Sequence, residues 1–158
     1  MADVDLVEHR DAADRFVLSL PADWQLADSP GPAIPLVAAE PAAGHGGIRS
    51  NVVVTVDAVT MGFKDWQLGN DELLPGALRE YQLLDLERVT VSGHEGVRRL
   101  ATHTVEDRSV TMEQWAGLVD QQGWTVTFTV PTMRYAAMSP GLRALAETFT
   151  VIAPGSTT

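Results

Sequence analysis

Two hydrophobic periods divide this 158-residue chain. In Trp124–Val130, Trp124, Val126, Phe128 and Val130 alternate strictly with Thr125, Thr127 and Thr129. That is the pattern of a strand with one buried face. Leu86–Ser92, Gly96–Val105 and Ser109–Val119 also read as strands, and the turns between them are Ser92-Gly93-His94, Glu106-Asp107-Arg108 and Asp120-Gln121-Gln122-Gly123. Consecutive short turns between such strands predict an antiparallel meander. Upstream, Asn51–Val59 is a valine-rich strand, with Val52, Val54, Val56 and Ala58 on one face and Val53, Thr55 and Asp57 on the other. Shorter apolar runs at Phe16–Leu20 and Leu36–Glu40 stop at Pro21 and Pro41. Trp24, just after the first of these, is expected in the core, and the glycines 44, 46 and 47 make Ala42–Ser50 a loop.

Between Met61 and Leu84 the period changes from two to about 3.6. Leu74, Leu78 and Tyr81 fall at helical spacing, flanked by Leu73, Ala77 and Leu84. Proline is excluded from a helix interior, so this helix is expected to start near Pro75. A second helix is expected at Ser139-Pro140, an N-cap followed by proline at the first helical position. Its stripe would be Leu142, Leu145, Ala146 and Phe149, buried against the sheet. The chain contains no internal repeat and no long linker. The expected organisation is an acidic tail over residues 1–14, a single domain over 15–153, and a C-terminal tail over 154–158.

Composition narrows the function classes. Apolar residues make up 45% of the chain, enough for a substantial core, and no uninterrupted apolar run reaches the ~18 residues of a membrane span. The N-terminal residues lack the basic and apolar regions of a secretory leader, so a cytoplasmic location is expected. The absence of cysteine excludes disulfides, a lipidated cysteine and thiolate chemistry. A net charge of −10, with Lys64 the only lysine, argues against nucleic-acid binding.

Several local marks share a layout with a known group. Phe16, Leu18, Pro21 and Trp24 open the chain, and Asn51-Val52-Val53-Val54 follows. Later come Gly93-His94-Glu95-Gly96-Val97-Arg98-Arg99-Leu100, Gln114 on a strand, Trp124–Thr129, and a final helix running into Phe149-Thr150-Val151. Over residues 15–152 this layout resembles the PsbP/Mog-like α/β/α sandwich, especially LpqN-like proteins, DcrB-like proteins and Eag-type effector chaperones. The resemblance implies an α+β fold with a central, largely antiparallel sheet flanked by helices on both faces. It also implies relatives that bind proteins and are not catalysts. LpqN-like members are often exported lipoproteins, a trait at odds with the absence of cysteine and leader here.

Candidate chemistry is thin. His94 and His103 lack the H-x-x-x-H spacing of metal ligands on one helical face and read as hairpin surface residues. His9 and His45 read as exposed. Asp57, Asp65, Asp71-Glu72 and Asp85-Glu87 are spread over loops and element ends, where solvated carboxylates are expected. Gly44-His45-Gly46-Gly47 lacks the Lys-Ser/Thr of a phosphate loop, and no Gly-x-Ser-x-Gly nucleophile motif occurs. No metal, cofactor or enzymatic activity is expected. Met112 and Trp115, on opposite faces of one strand, read as core. The sharper signal is apolar residues in connections: Met61, Phe63 and Trp66 after the long strand, and Met133, Tyr135 and Met138 before the last helix. Methionine-rich apolar patches suit adaptable partner binding. The expectation is therefore a non-enzymatic protein-binding module, a chaperone or adaptor linked to protein secretion, contacting its partner through these six residues. The alternative is a small-ligand or lipid-binding domain with a pocket between sheet and helix. Homodimerisation through a sheet edge or the apolar patch is a further expectation, with no membrane insertion.

Overall fold

A computed structural model describes residues 4–42 and 47–153. The loop expectation at Gly44, His45 and Gly46 and the tail over 154–158 lie outside the described residues. The element order is β1 (Leu6–Arg10), β2 (Phe16–Pro21), β3 (Gln25–Ala27), β4 (Leu36–Ala39), β5 (Asn51–Ala58), α1 (Phe63–Ala77), β6 (Gln82–Val91), β7 (His94–Val105), β8 (Arg108–Val119), β9 (Gln122–Pro131), α2 (Thr132–Glu147) and β10 (Thr150–Val151).

The main sheet has seven strands in the order β3-β4-β5-β9-β8-β7-β6, and every pairing in it is antiparallel. The meander from β6 to β9 is present as expected. Its three hairpins turn on two residues each, and both are at positive φ: Ser92 and Gly93, Glu106 and Asp107, Asp120 and Gln121. Such primed turns match the right-handed strand twist, so each hairpin closes without splaying.

Alternation then decides the layers. Trp124, Val126 and Phe128 pair with Val56, Val54 and Val52 on one side, while Trp115 sits opposite Val126 on the other. These residues share a face and are buried together with Leu142, Leu145, Ala146 and Phe149 of the second helix and its following residues. A small sheet of β1, β2 and β10 packs over the same face. Phe16 from β2 meets the Trp124 ring edge-on at 5.5 Å and Phe149 at 5.5 Å. The opposite face carries Arg99, Met112 and Gly123, and α1 lies over it: Arg99 bonds Asp71, and Gly123 touches Trp66. The result is an α+β sandwich, with helices on both faces of a mostly antiparallel sheet.

Four local expectations change. Residues 6–10, read as part of a tail, form β1, because Leu6–Arg10 pairs in register with Arg10's partner Val17 through Pro21. The first helix is Phe63–Ala77, with Pro75 in its last turn, not a helix beginning at Pro75. The leucines after it belong to β6, where a register shift between Leu83 and Asp85 breaks the period of two. The second helix starts at Thr132, directly after β9, and holds Pro140 in its interior. Burying Leu142, Leu145 and Phe149 contributes about 1.5–3 kcal/mol each, which outweighs the ~3 kcal/mol cost of an interior proline. Met112 and Trp115 are core, as expected. His103 corrects the surface reading: it is buried on the α1 face of β7, whereas His94 is exposed in its hairpin.

Candidate functional site

The two groups of apolar residues singled out in the sequence lie on opposite faces of the sheet. Met133, Tyr135 and Met138 ride on α2, and Met61, Phe63 and Trp66 lie at and before α1. They do not form one surface.

On the α2 side two cavities meet at an ion pair. One, about 550 Å³, is walled by Trp24, Met138, Leu142 and Leu145 and by Pro21 at the end of β2. The other, about 620 Å³, opens at the first turn of α2. Glu40 and Arg134 line both. Arg134 grips the Glu40 carboxylate at 2.6 and 3.1 Å, and Glu40 also accepts the Ser50 backbone N–H at 2.8 Å. Burial pushes the Glu40 carboxyl up, but Arg134 and Ser50 together hold it below its ordinary range. Met133 stands 98% exposed at the mouth of the larger cavity.

Tyr135 is turned inward. Its hydroxyl donates to Glu113 Oε1 at 3.0 Å and accepts from Arg98 at 2.8 Å. Arg98 and Glu113, on β7 and β8, are both buried and bonded at 2.6 and 2.7 Å. Burial works against the charge on Arg98, and Glu113 with Tyr135 more than restores it. Burial, with Glu113 beside it, holds the Tyr135 phenol above its ordinary value, so it stays a donor at neutral pH. Glu87 joins from β6, 3.4 Å from Arg98 and 3.0 Å from Arg143. The Arg143 guanidinium lies 5.1 Å from the Trp115 ring centroid. This network fastens the helix to the sheet and removes the Tyr135 hydroxyl from the surface.

On the α1 side, Phe63 packs edge-on against Trp66 at 6.0 Å, and Trp66 seats on Gly123. Met61 is half exposed in the preceding connection. Phe63 also lines a groove of about 420 Å³ between α1 and the β6–β7 hairpin, with Leu68, Leu86 and Val97 as its other apolar walls. Beyond the groove runs β6, the edge of the main sheet. Leu83, Leu84 and Leu86 on that strand and Leu68 and Leu73 on α1 are all exposed. In the sequence, Leu73 and Leu84 read as flanking a helical stripe and Leu86 as the start of a strand. The register shift between Leu83 and Asp85 hid that Leu83, Leu84 and Leu86 share one edge strand. Their signal was density: Leu83, Leu84 and Leu86 fall within four positions.

The buried or half-buried charges around α2 and α1 stand in ion pairs: Arg98 with Glu113 and Glu87, Arg134 with Glu40, and Arg99 with Asp71. Among the described residues no three His, Asp or Glu side chains are grouped to hold a metal ion. No helix there is long and apolar enough to cross a membrane.

No protein-family profile matches the sequence, and no curated protein matches it either. Solved structures do match. LpqN of Mycobacterium tuberculosis, involved in cell envelope biogenesis, superposes with a TM-score of 0.69 at 13% identity, covering 95% of this chain and 92% of that one. Cyanobacterial PsbP of Synechocystis gives 0.68 at 15% identity, covering 96% and 95%. The Ran-binding protein Mog1p of Saccharomyces cerevisiae gives 0.67 at 12% identity, covering 94% and 96%. At these identities the likeness is one of fold, and it extends over nearly the whole length of each chain. The chain has the PsbP/Mog-like fold.

Proposed function

We propose that this chain is a non-enzymatic protein-binding module that holds an extended apolar segment of a partner against β6 and the groove beside α1. The observation that carries the reading is an open ten-residue edge strand whose leucines stand exposed next to an apolar groove. An edge strand offers unpaired backbone donors and acceptors, and an added strand satisfies them. Alternate side chains of that strand would enter the groove at Phe63, Leu68 and Leu86. The Ran-binding activity of Mog1p shows that this fold can serve protein recognition. A chaperone or adaptor in the cytoplasm, acting on a protein bound for secretion, is the cellular role we assign.

The cavity bounded by Trp24 and Met138 supports a second reading, a pocket for a small apolar ligand between the α2 face and the β2 turn. Its volume falls in the ~300–1,000 Å³ range of ligand sites. One experiment separates the two. Extended apolar peptides selected against the purified protein should lose about tenfold or more in affinity on Leu86→Arg. Selected peptides that bind Leu86→Arg unchanged would overturn the β6 reading. A bound small molecule in the native mass spectrum, retained by Leu86→Arg, would establish the second. Self-association in sedimentation, abolished by Leu86→Arg, would mean that a second copy takes the place of the partner.

A further inference from the structure

The cations of this acidic chain are unevenly placed. Of its 11 lysines and arginines, Arg49, Arg108 and Arg134 line the cavity at the first turn of α2, where Glu40 is the sole carboxylate among the described residues. Arg134 answers that carboxylate with both ends of its guanidinium. Arg49 bonds uncharged acceptors, the Glu40 carbonyl at 2.7 Å and Gln25 Oε1 at 2.8 Å. The Arg108 side chain makes no hydrogen bond or ion pair among the described residues, and its Nη1 lies 3.7 Å from where a Cβ on Gly47 would stand. Two positive charges are thus left uncompensated in a concavity of about 620 Å³, on a chain of net charge −10. Carboxylates outnumber cations 21 to 11, so scattered arginines would be expected to find partners.

The remaining wall suits the same ligand. Ser109 and Thr132 present hydroxyls 2.7 Å apart. No side chain caps the N-terminus of the 16-residue α2, which lends the cavity further positive potential. Ile48, Pro131 and Met133 supply an apolar side. A planar guanidinium pairs with an oxyanion through parallel hydrogen bonds, and the pairing strengthens where apolar walls displace water.

We propose that this cavity is a binding site for a small oxyanion, a phosphate or carboxylate group carried on an apolar body. It shares no lining residue with the β6 groove, so it stands or falls independently of the peptide reading. The guanidiniums grip the oxyanion, and the apolar body rests against Ile48 and Met133.

Calorimetric titration of the whole chain with phenyl phosphate, and separately with benzoate, tests the site. Saturable one-to-one binding is expected, weakened about tenfold or more by Arg108→Glu. Arg88→Glu should change it by less than about twofold, because Arg88 is exposed and lies on β6, away from the cavity. Tighter phenyl phosphate identifies a phosphate site, and tighter benzoate a carboxylate site; either supports the proposal. Arg108 has no partner to lose among the described residues, so Arg108→Glu should keep the parent's urea midpoint. If it does not, Arg108→Gln is read by the same criterion. Absence of saturable binding by both anions, or equal weakening by Arg88→Glu, would overturn it.

Discussion

Glu113 is the residue on which the α2 side of the molecule depends. It is 1% exposed, and its Oε1 accepts from both Arg98 and Tyr135. Removing one member of a buried pair leaves the other charge without compensation, a loss of about 3–5 kcal/mol. Glu87 touches the same Arg98 from a half-exposed position, where solvent screens the pair and its removal costs ~1 kcal/mol or less. Urea unfolding should therefore separate Glu113→Ala from Glu87→Ala by several-fold in lost stability. Equal losses would show that the buried pair does not anchor the helix. Little of this was legible in the sequence. Arg98 and Glu113 meet diagonally because Arg98 pairs with Trp115 and Leu100 with Glu113, a register that alternation alone does not specify. Tyr135 was singled out there as an apolar contact residue; its buried hydroxyl bonds became visible only once α2 was placed over those two strands.

Among the elements, the meander was legible and α1 was not, for one physical reason. β9 alternates because Trp124, Val126, Phe128 and Val130 are buried while the threonines between them are only partly so, and the meander's turns use compact polar pairs. α1 buries none of its 15 residues fully, so burial imposed no strong period on it, and Pro75 obscured its last turn. What holds α1 down is local. A Cβ on Gly123 would stand 2.5–2.8 Å from three ring atoms of Trp66, so the bare glycine forms the seat for the indole. Gly123→Ala must displace that ring, and overpacking of this kind costs about 1–3 kcal/mol. With so little else buried, α1 should lift as a unit and the sheet should hold. Hydrogen exchange is expected to show lost protection across Phe63–Ala77, with β8 and β9 still protected. A uniform loss over the sheet would mean that α1 is integral to the main cooperative unit. Because Phe63 and Leu68 line the β6 groove from this helix, the same variant should also weaken peptide capture.

For the molecule as a whole, the meander and the two helical segments followed from periodicity and their assembly into an α+β sandwich from the resemblance, while the response to pH follows from groups whose burial no pattern revealed. Burial on β7 lowers the pKa of His103. The unfolded chain, with histidine near its ordinary value of about 6.5, then binds more protons than the native state in the window below that value. Stability is fully present above that window and falls as the pH drops through it, until the native His103 also titrates. Asp11 behaves in the carboxylate sense: burial raises its pKa, but Arg15, bonded at 2.7 Å, holds it below the ordinary range. Glu40 is held low in the same way by Arg134. Their contributions are present above the unfolded carboxylate values of about 4 and disappear as the pH falls further. Acidification also relieves the self-repulsion of a chain at −10, which acts in the opposite direction and is spread over every carboxylate. Comparing the parent with His103→Gln cancels that shared contribution, because both chains carry the same 21 acidic residues. The difference in urea midpoint between them should change as the pH falls below about 6.5, with the parent losing relative stability. A difference that is flat from neutral pH downward would show that His103 is as readily protonated in the native protein as in the unfolded chain.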